Sequence, residues 1–466
     1  MSPRSRVAAS SLVCGLLMSS LLVGCTAEGG GEPDPGPTPT TGETSAPAPV
    51  ARLTFGVFGS EDEVAGYDDM VQQFNGVSDS AQVEVVSWPD HQQAAAALDR
   101  DEALPDVFLI SRRDLAEFQK EGEVQPVDEL LDARGVDFGD GYARDALRAF
   151  SLDNRLQCMP YGISPMVIYF NTELIDFARM RERGLQAPGS DEDVEPPRAW
   201  TFEQFTAAAE FATRPKRNTR GVSIEASLRG LAPFIVSGDG QIFNDDTDPT
   251  SLAFSEESTR AALETTLRLL RNAQVTLSPE QLARRSAVEW FERGKLGMVA
   301  GFRDLVPQFR QVQGLEFDVM PIPVIEGSGT IGDITGLCIS SQSQHTPEAA
   351  DFLAHAVSVD SVTRVARAGY LVPANVAVAT SDDFLQPGRQ PLNSRVFNTA
   401  VRDIYIPPLL ADWDALEEAI APMLVELFTA DILPPELIDE ITTEIDETSR
   451  TILAPETVTP SPTPSE

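Results

Sequence analysis

The residues that most often carry chemistry are scarce in this chain. Histidine occurs only as His91, His345 and His355, and their spacing builds no metal-ligand set, so structural or surface roles are expected and no metal or cofactor is. Lysine occurs only as Lys120, Lys216 and Lys295, which leaves nearly all positive charge to arginine. That is a mark of a GC-rich genome and says nothing of function. Positive charge as a whole is in deficit, with 35 basic against 72 acidic residues and a formal charge of −37. Nucleic acid and anionic lipid surfaces are therefore poor partners. Neither a Gly-x-Ser-x-Gly elbow nor a Gly-rich phosphate loop occurs; GVSIE and GISPM both miss the first pattern. The acidic run DGQIFNDDTD at 239–248 lacks the ligand order of a calcium loop and reads as a solvated loop. No catalytic machinery is visible. Abundant carboxylates still leave a glycosidase pair open, since separation in sequence does not exclude one.

Long apolar runs are also missing, with one exception. Arg4 and Arg6 precede an apolar stretch from Val7 to Val23 that ends at Gly24-Cys25, the layout of a secretory signal. Its last residues, LLVGC, resemble the bacterial lipobox, in which cleavage falls before the cysteine and lipid is attached to it. Residues 1–24 are then the signal peptide and Cys25 the acylated N-terminus, with palmitate as an expected acyl group. Two or more chains supply the second hydrophobic signal that stable anchoring requires. The alternatives are a plain signal peptide with an accidental cysteine, or a single transmembrane anchor. Residues 25–50 are rich in Gly, Pro and Thr without apolar periodicity and read as a tether; 454–466 read as a loose tail. The expected location is the extracellular face of the cell membrane.

The body between these ends is longer than one core usually holds, so two domains or lobes are expected, and 42% hydrophobic residues suffice to pack them. Leu53, Phe55 and Val57 alternate as in a strand; Glu61 to Asn75 spaces Val64, Met70, Val71 and Phe74 as in a helix; Val83 to Val86 is a second strand. A helix through His91 to Leu98 follows, and then PDVFLI, a run suited to a parallel strand buried on both faces. This βαβαβ opening predicts an open α/β sheet, whose ligands bind beyond the carboxyl ends of the strands. Those ends are Gly59-Ser60-Glu61, Ser87-Trp88 and Ser111-Arg112. Later, Thr201 with Gln204 and Ser278 with Gln281 form capping boxes. Thr346-Pro347-Glu348 opens a helix that sets Ala349, Phe352, Leu353, Ala356 and Val357 on one stripe. Strands at 297–300, 317–320 and 337–340 keep the α/β character. No internal repeat is present.

The order of these segments resembles the extracellular solute-binding proteins of ABC importers, specifically the sugar-binding group (family 1) that includes maltose-binding protein. The resemblance runs from Arg52 to Ile452 and rests on FGSEDEVAGYDDMVQQFN, PDVFLISRRDLAEFQKEGEVQPVDELL, MPYGISPMVIYFNTELI, WTFEQF, SGDGQIF, WFERGKLGMVAGFRDLVPQFR, DITGLCISSQSQHTPEAADFL and AGYLVPAN. It implies a two-lobe, periplasmic-binding-protein-like α/β fold, with an interlobe hinge of crossing segments and a ligand cleft that closes by hinge motion. The implied division is 51–162 plus 337–370 for the N-terminal lobe and 163–336 plus 371–453 for the C-terminal lobe.

Carried over position by position, the resemblance makes Ser60, Glu61, Ser111, Arg112, Tyr161, Ser164, Arg303 and Trp413 the candidate ligand contacts. Arg113 neighbours them; helical spacing allows only one of Arg112 and Arg113 to face the cleft. Ser164 stands where the maltose-binding relative has a glutamate, and Arg303 where it has a stacking tryptophan. Sugar sites set aromatic faces against the apolar side of the ring and planar hydrogen-bonders against its hydroxyls. With only Trp88, Trp200, Trp290 and Trp413 available, and Trp200 and Trp290 read as structural, an arginine pair clamping a carboxylate or phosphate is the competing ligand chemistry. Asn171 reads as a cap before Thr172-Glu173.

The resemblance also bears on the cysteines. In the family fold, the returning segment GDITGLCIS runs beside the Pro-Tyr-Gly turn that follows Cys158. With Cys25 consumed by lipid outside the cytoplasm, Cys158 and Cys338 are the thiols left to pair; two buried free thiols are the alternative. The function so implied is a non-catalytic receptor that captures a small solute, expected to be a carbohydrate, and delivers it to ABC permease subunits. An anchored oligosaccharide hydrolase and a ligand sensor without transport are the other readings.

Overall fold

The computed structural model describes residues 50–98, 104–137, 139–189 and 199–455. The signal peptide, Cys25, nearly all the tether and the tail from 456 onward lie outside the described residues.

Local pattern sets the first sheet. Leu53, Phe55 and Val57 are buried within the strand Ala51–Phe58, which pairs in parallel with Ala81–Trp88 and with Val107–Ser111. The last of these is buried at every position, as a continuous apolar run in a two-sided sheet must be. Between the strands lie the helices Glu61–Val77 and His91–Leu98. The first begins at Ser60, whose Oγ accepts from the Glu63 backbone N–H, and it buries Tyr67, Met70, Val71 and Phe74 on one stripe. Both expected capping boxes form, at Thr201/Gln204 and Ser278/Gln281. The helix Thr346–Ala356 buries Ala349, Phe352, Leu353 and Ala356, and Val357 follows them into the core.

A long strand, Thr330–Ser340, runs antiparallel to both Val107–Ser111 and Met159–Pro165 and carries the short strand Ile404–Tyr405 on its outer edge. The second sheet orders Phe317–Met320, Val167–Asn171, Leu296–Gly301 and Arg220–Ser223. Each sheet has its own core. Phe55, Phe108, Leu337 and Phe352 belong to the first; Phe205, Phe234 and Leu267 pack on one face of the second and Phe309, Phe317 and Val319 on the other. Two lobes thus follow from two separately covered sheets, joined where Pro165 gives way to Val167, along Thr330–Ser340, and near Leu371–Val372.

Three details differ from expectation. Pro160-Tyr161-Gly162 is no turn: Met159–Pro165 is one strand, with a register shift opposite Thr335/Gly336. Gly162 permits this, because a Cβ there would stand 2.7 Å from Thr335 Oγ1. The first core also extends past the expected boundary at 370, taking in Leu371, Ala374 and Val378, and later Ile404. Finally, the 239–248 loop is not wholly solvated, since Ile242 and Phe243 are buried.

Cys158 and Cys338 sit opposite each other where the two crossing strands pair, with Cα atoms 4.3 Å and sulfurs 1.93 Å apart, a disulfide across the base of the hinge. Both are fully buried.

Candidate functional site

The carboxyl ends of the first-lobe strands face the second lobe across a cleft of about 570 Å³. Ser60, Glu61, Asp62 and Glu63 enter it from the start of the first helix, Asp90 and His91 from the second, Ser164 and Asp333 from the crossing strands, and Phe302, Asp304 and Tyr370 from the far side. Asp333 also lines an adjoining compartment with Ser111, Arg112, Arg113, Arg229, Phe243, Tyr405 and Trp413. The cleft therefore has an acidic end and an arginine-and-aromatic end, with Asp333 between them.

At the acidic end, the carboxylates oppose one another. Burial first, and then the charges of Asp304 and Asp333, push Glu63 up to about 8, against the pull of the Ser60 backbone N–H. Asp304 keeps exposed surface toward the cleft, yet the walls around it limit solvation, and with Asp333 nearby it rises to about 6. Burial holds the His91 imidazole below its ordinary value, so near neutral pH it is uncharged. Tyr67, one turn along the helix from Glu63, is buried and lines this end of the cleft, and burial, then the charge of Glu63, holds its hydroxyl well above the ordinary phenol range.

At the other end, Arg112 is buried and its Nε lacks a hydrogen-bond partner; burial lowers its pKa to about 10, still fully charged. Arg113 is committed, with Nη2 2.8 Å from Glu417 and 3.3 Å from Asp414, and its guanidinium 5.4 Å from the Trp413 ring centre. Phe243 meets Trp413 edge-on at 5.8 Å. Arg229 lies over Phe302 at 4.4 Å and reaches Asp333 at 4.0 Å.

Of the candidates named from sequence, Ser60, Glu61, Ser111, Arg112, Ser164 and Trp413 line the two compartments. All three serine candidates already accept a backbone hydrogen bond: Ser60 Oγ caps its helix, Ser111 Oγ accepts from the Arg113 N–H, and Ser164 Oγ accepts from the Arg303 N–H at 3.0 Å. Two candidates are misplaced. Arg303 is completely buried away from the cleft; its Nε and Nη2 donate to the carbonyls of Gly369 and Phe384, and it stacks between Phe384 and Phe397 at 4.7 and 4.9 Å. Its neighbours Phe302 and Asp304 take the cleft-facing positions instead. Tyr161 lies in the first-lobe core beside Tyr67, with ring centres 6.0 Å apart. Trp200 and Trp290 are buried and donate to the carbonyls of Pro321 and Gln281. Among the described residues, no cluster of His, Cys, Asp and Glu is arranged to hold a metal ion.

Sequence reasoning missed Glu63, Phe243, Phe302, Asp304, Arg229 and Asp333. The apolar pair Ile242-Phe243 inside a carboxylate run was the one local signal for any of them.

A family model described as bacterial extracellular solute-binding protein matches residues 69–388. Among solved structures, the chain superposes on an ABC substrate-binding protein from Listeria monocytogenes in complex with cycloalternan (TM-score 0.72, 18% identity, 86% of this chain and 99% of that one). It superposes likewise on the sugar-binding protein MalE of Xanthomonas citri (0.70, 17%, 87% and 98%) and on the GacH receptor of Streptomyces glaucescens, solved free and with acarbose (0.69, 18%, 87% and 98%). At such identities the shared property is the fold. No curated protein matches the sequence.

Proposed function

The chain belongs to the bacterial extracellular solute-binding family, and we propose that its solute is a carbohydrate, held in the interlobe cleft and passed to the permease subunits of an ABC importer. The observation that carries this reading is the pairing, along one cleft, of an aromatic group at Trp413 and Phe243 with hydrogen-bonding side chains from Glu63 to Asp333. Rings of that kind cover the apolar side of a sugar while the carboxylates accept from its hydroxyls. Structural neighbours solved with cycloalternan, acarbose and maltotriose agree with it. The competing anion clamp loses two members, because Arg303 is built into a core and Arg113 is held by Glu417 and Asp414.

Delivery requires the receptor to stay near its permease. Acylation of Cys25 would hold it at the outer face of the membrane, with residues 26–50 as the tether. Among the described residues, no helix is long and apolar enough to cross a bilayer.

A melting-temperature screen over oligosaccharides, amino acids and carboxylates tests the ligand class, since a ligand that binds only the folded state raises its transition. At least one oligosaccharide is expected to raise it and to be recovered chemically unchanged. Shifts by carboxylates with none by sugars would refute the carbohydrate assignment. Loss of uptake in a deletion strain separates transport from sensing.

A further inference from the structure

We infer that the solute is an acidic sugar, whose uronate carboxylate sits against the Arg112 guanidinium while its ring lies on Trp413 and Phe243. The inference rests on the carbohydrate reading and narrows it to one class.

Arg112 directly follows the strand Val107–Ser111, and its backbone N–H donates to the Ile334 carbonyl of the crossing strand at 2.8 Å. Its stem is thereby held between two paired strands, in the wall of the arginine-and-aromatic compartment. The residue is only 9% exposed, yet its guanidinium has no hydrogen-bond or ion-pair partner among the described residues. Nε is sealed from solvent; the terminal nitrogens are not among the sealed atoms and are the ones open to a ligand.

The other charges lining this compartment are already matched. Arg113 is held by Glu417 at 2.8 Å and by the exposed Asp414, and Arg229 faces Asp333 at 4.0 Å while lying over Phe302. Asp333 and Glu417 are the carboxylates that line the compartment among the described residues, so the positive charge left over is that of Arg112. Tyr405 does not offset it, since its hydroxyl donates to Asp246. Leu228, Ile242, Ile334 and Pro407 supply apolar wall rather than hydrogen-bond acceptors. A buried charge without its partner is strongly unfavourable.

The counter-charge must therefore arrive with the ligand, and its size is set. A carboxylate brings one negative charge, whereas a phosphate monoester brings about 1.5 to 2 near neutral pH and would leave charge unmatched. The guanidinium is a planar fork, to which a planar carboxylate bonds through both oxygens. Trp413 and Phe243, edge-on at 5.8 Å in the same compartment, are placed to cover the apolar side of the ring that bears it.

The test is a calorimetric titration of the full mature protein at neutral pH with trimers of galacturonate, glucuronate, mannuronate and guluronate. Each is compared with its methyl ester, which keeps the shape and removes the charge. Maltotriose, maltotriose sulfate and glutarate serve as a neutral sugar, a sulfate ester and a carboxylate that is no sugar. At least one uronate trimer should bind about tenfold or more tightly than its ester and than maltotriose. Arg112→Met should erase that preference, and because no protein group relies on the guanidinium, the ligand-free variant should melt no lower than the parent. Arg112→Lys, which keeps the charge and loses the fork, should retain part of the preference. Esters binding as well as their acids, or a preference that survives Arg112→Met, would overturn the inference and leave the carbohydrate reading standing. Equal binding of the sulfate ester would overturn the assignment to a carboxylate. Glutarate binding with no sugar binding would overturn both readings. Failure of Arg112→Met to fold would mark the guanidinium as a structural group and overturn the inference as well.

Discussion

Arg113 of the first lobe places its Nη2 2.8 Å from the Glu417 carboxylate of the second, and neither side chain is fully buried. Together with the 3.3 Å contact to Asp414 and the hydrogen bond from Gln311 to Asp62, this ties the lobes on both sides of the cleft. Ion pairs with this exposure contribute about 0.2–1 kcal/mol. Such energies are small for folding but matter for a hinge, where closed and open states differ by only a few kcal/mol. Arg113→Ala is expected to speed ligand release by about two- to fivefold, with the melting temperature of the free protein nearly unchanged. Stopped-flow release rates check this; an unaltered rate would remove the latch.

Arg303 offers the opposite case, a charge that serves packing. Arg303→Met keeps much of the volume but leaves the carbonyls of Gly369 and Phe384 without their donors. Each orphaned buried acceptor costs about 1–3 kcal/mol. Urea unfolding should show a loss of roughly that size, while ligand affinity of the folded protein stays within about twofold, a difference of a few tenths of a kcal/mol. A large loss of affinity without loss of stability would return Arg303 to the cleft.

The disulfide spans a sequence separation of 180 at the hinge. On the chain-entropy account, itself disputed, closing so long a loop stabilises by about 5 kcal/mol. Alkylation before reduction should label neither Cys158 nor Cys338, and the Cys158→Ser, Cys338→Ser double variant should melt well below the parent. Two labelled thiols in the unreduced protein would end the assignment.

What was legible in the sequence was local. Strand alternation, the buried run through Val107–Ser111 and both capping boxes depend on neighbours within a few residues, and each formed. From local pattern the site was legible where it sits at strand ends, as with Ser60, Ser111 and Arg112, while Ser164 and Trp413 were reached through the family resemblance. Arg303 failed because successive residues after Gly301 point to different sides, so a shift of one position exchanges a core residue for a cleft residue. Glu63 reads locally as an acid in a helix's first turn, which the helix dipole favours. Its encounter with Asp304 and Asp333 is set by how two lobes face each other across hundreds of residues, and no periodicity carries that.

The same encounter fixes a pH dependence. Glu63 titrates at about 8 in the folded chain against an ordinary 4.5, and Asp304 at about 6 against 3.8. Between those limits the folded state holds protons that the unfolded state has released, so stability falls as pH rises. Their contribution is fully present below about pH 4 and is lost progressively above it, the loss being complete for Asp304 once pH passes about 6 and for Glu63 once it passes about 8. His91 acts in the other direction: its depressed pKa makes the unfolded state the better proton binder, so its stabilisation is present above 6.5 and lost on acidification. Other groups facing this end, Asp333 and Arg229, are common to parent and variant. Calorimetric melting of the ligand-free protein from pH 5 to 9 should therefore show the Glu63→Gln variant gaining on the parent as pH rises, most steeply between about 5.5 and 7, with the difference levelling off above about 8.5. Gln at this position carries no proton to release, so the difference between the two curves isolates Glu63 from every other titrating group. Parallel curves across that range would mean that Glu63 titrates as a solvated carboxylate and that the crowding of charge at the acidic end is relieved within the protein itself.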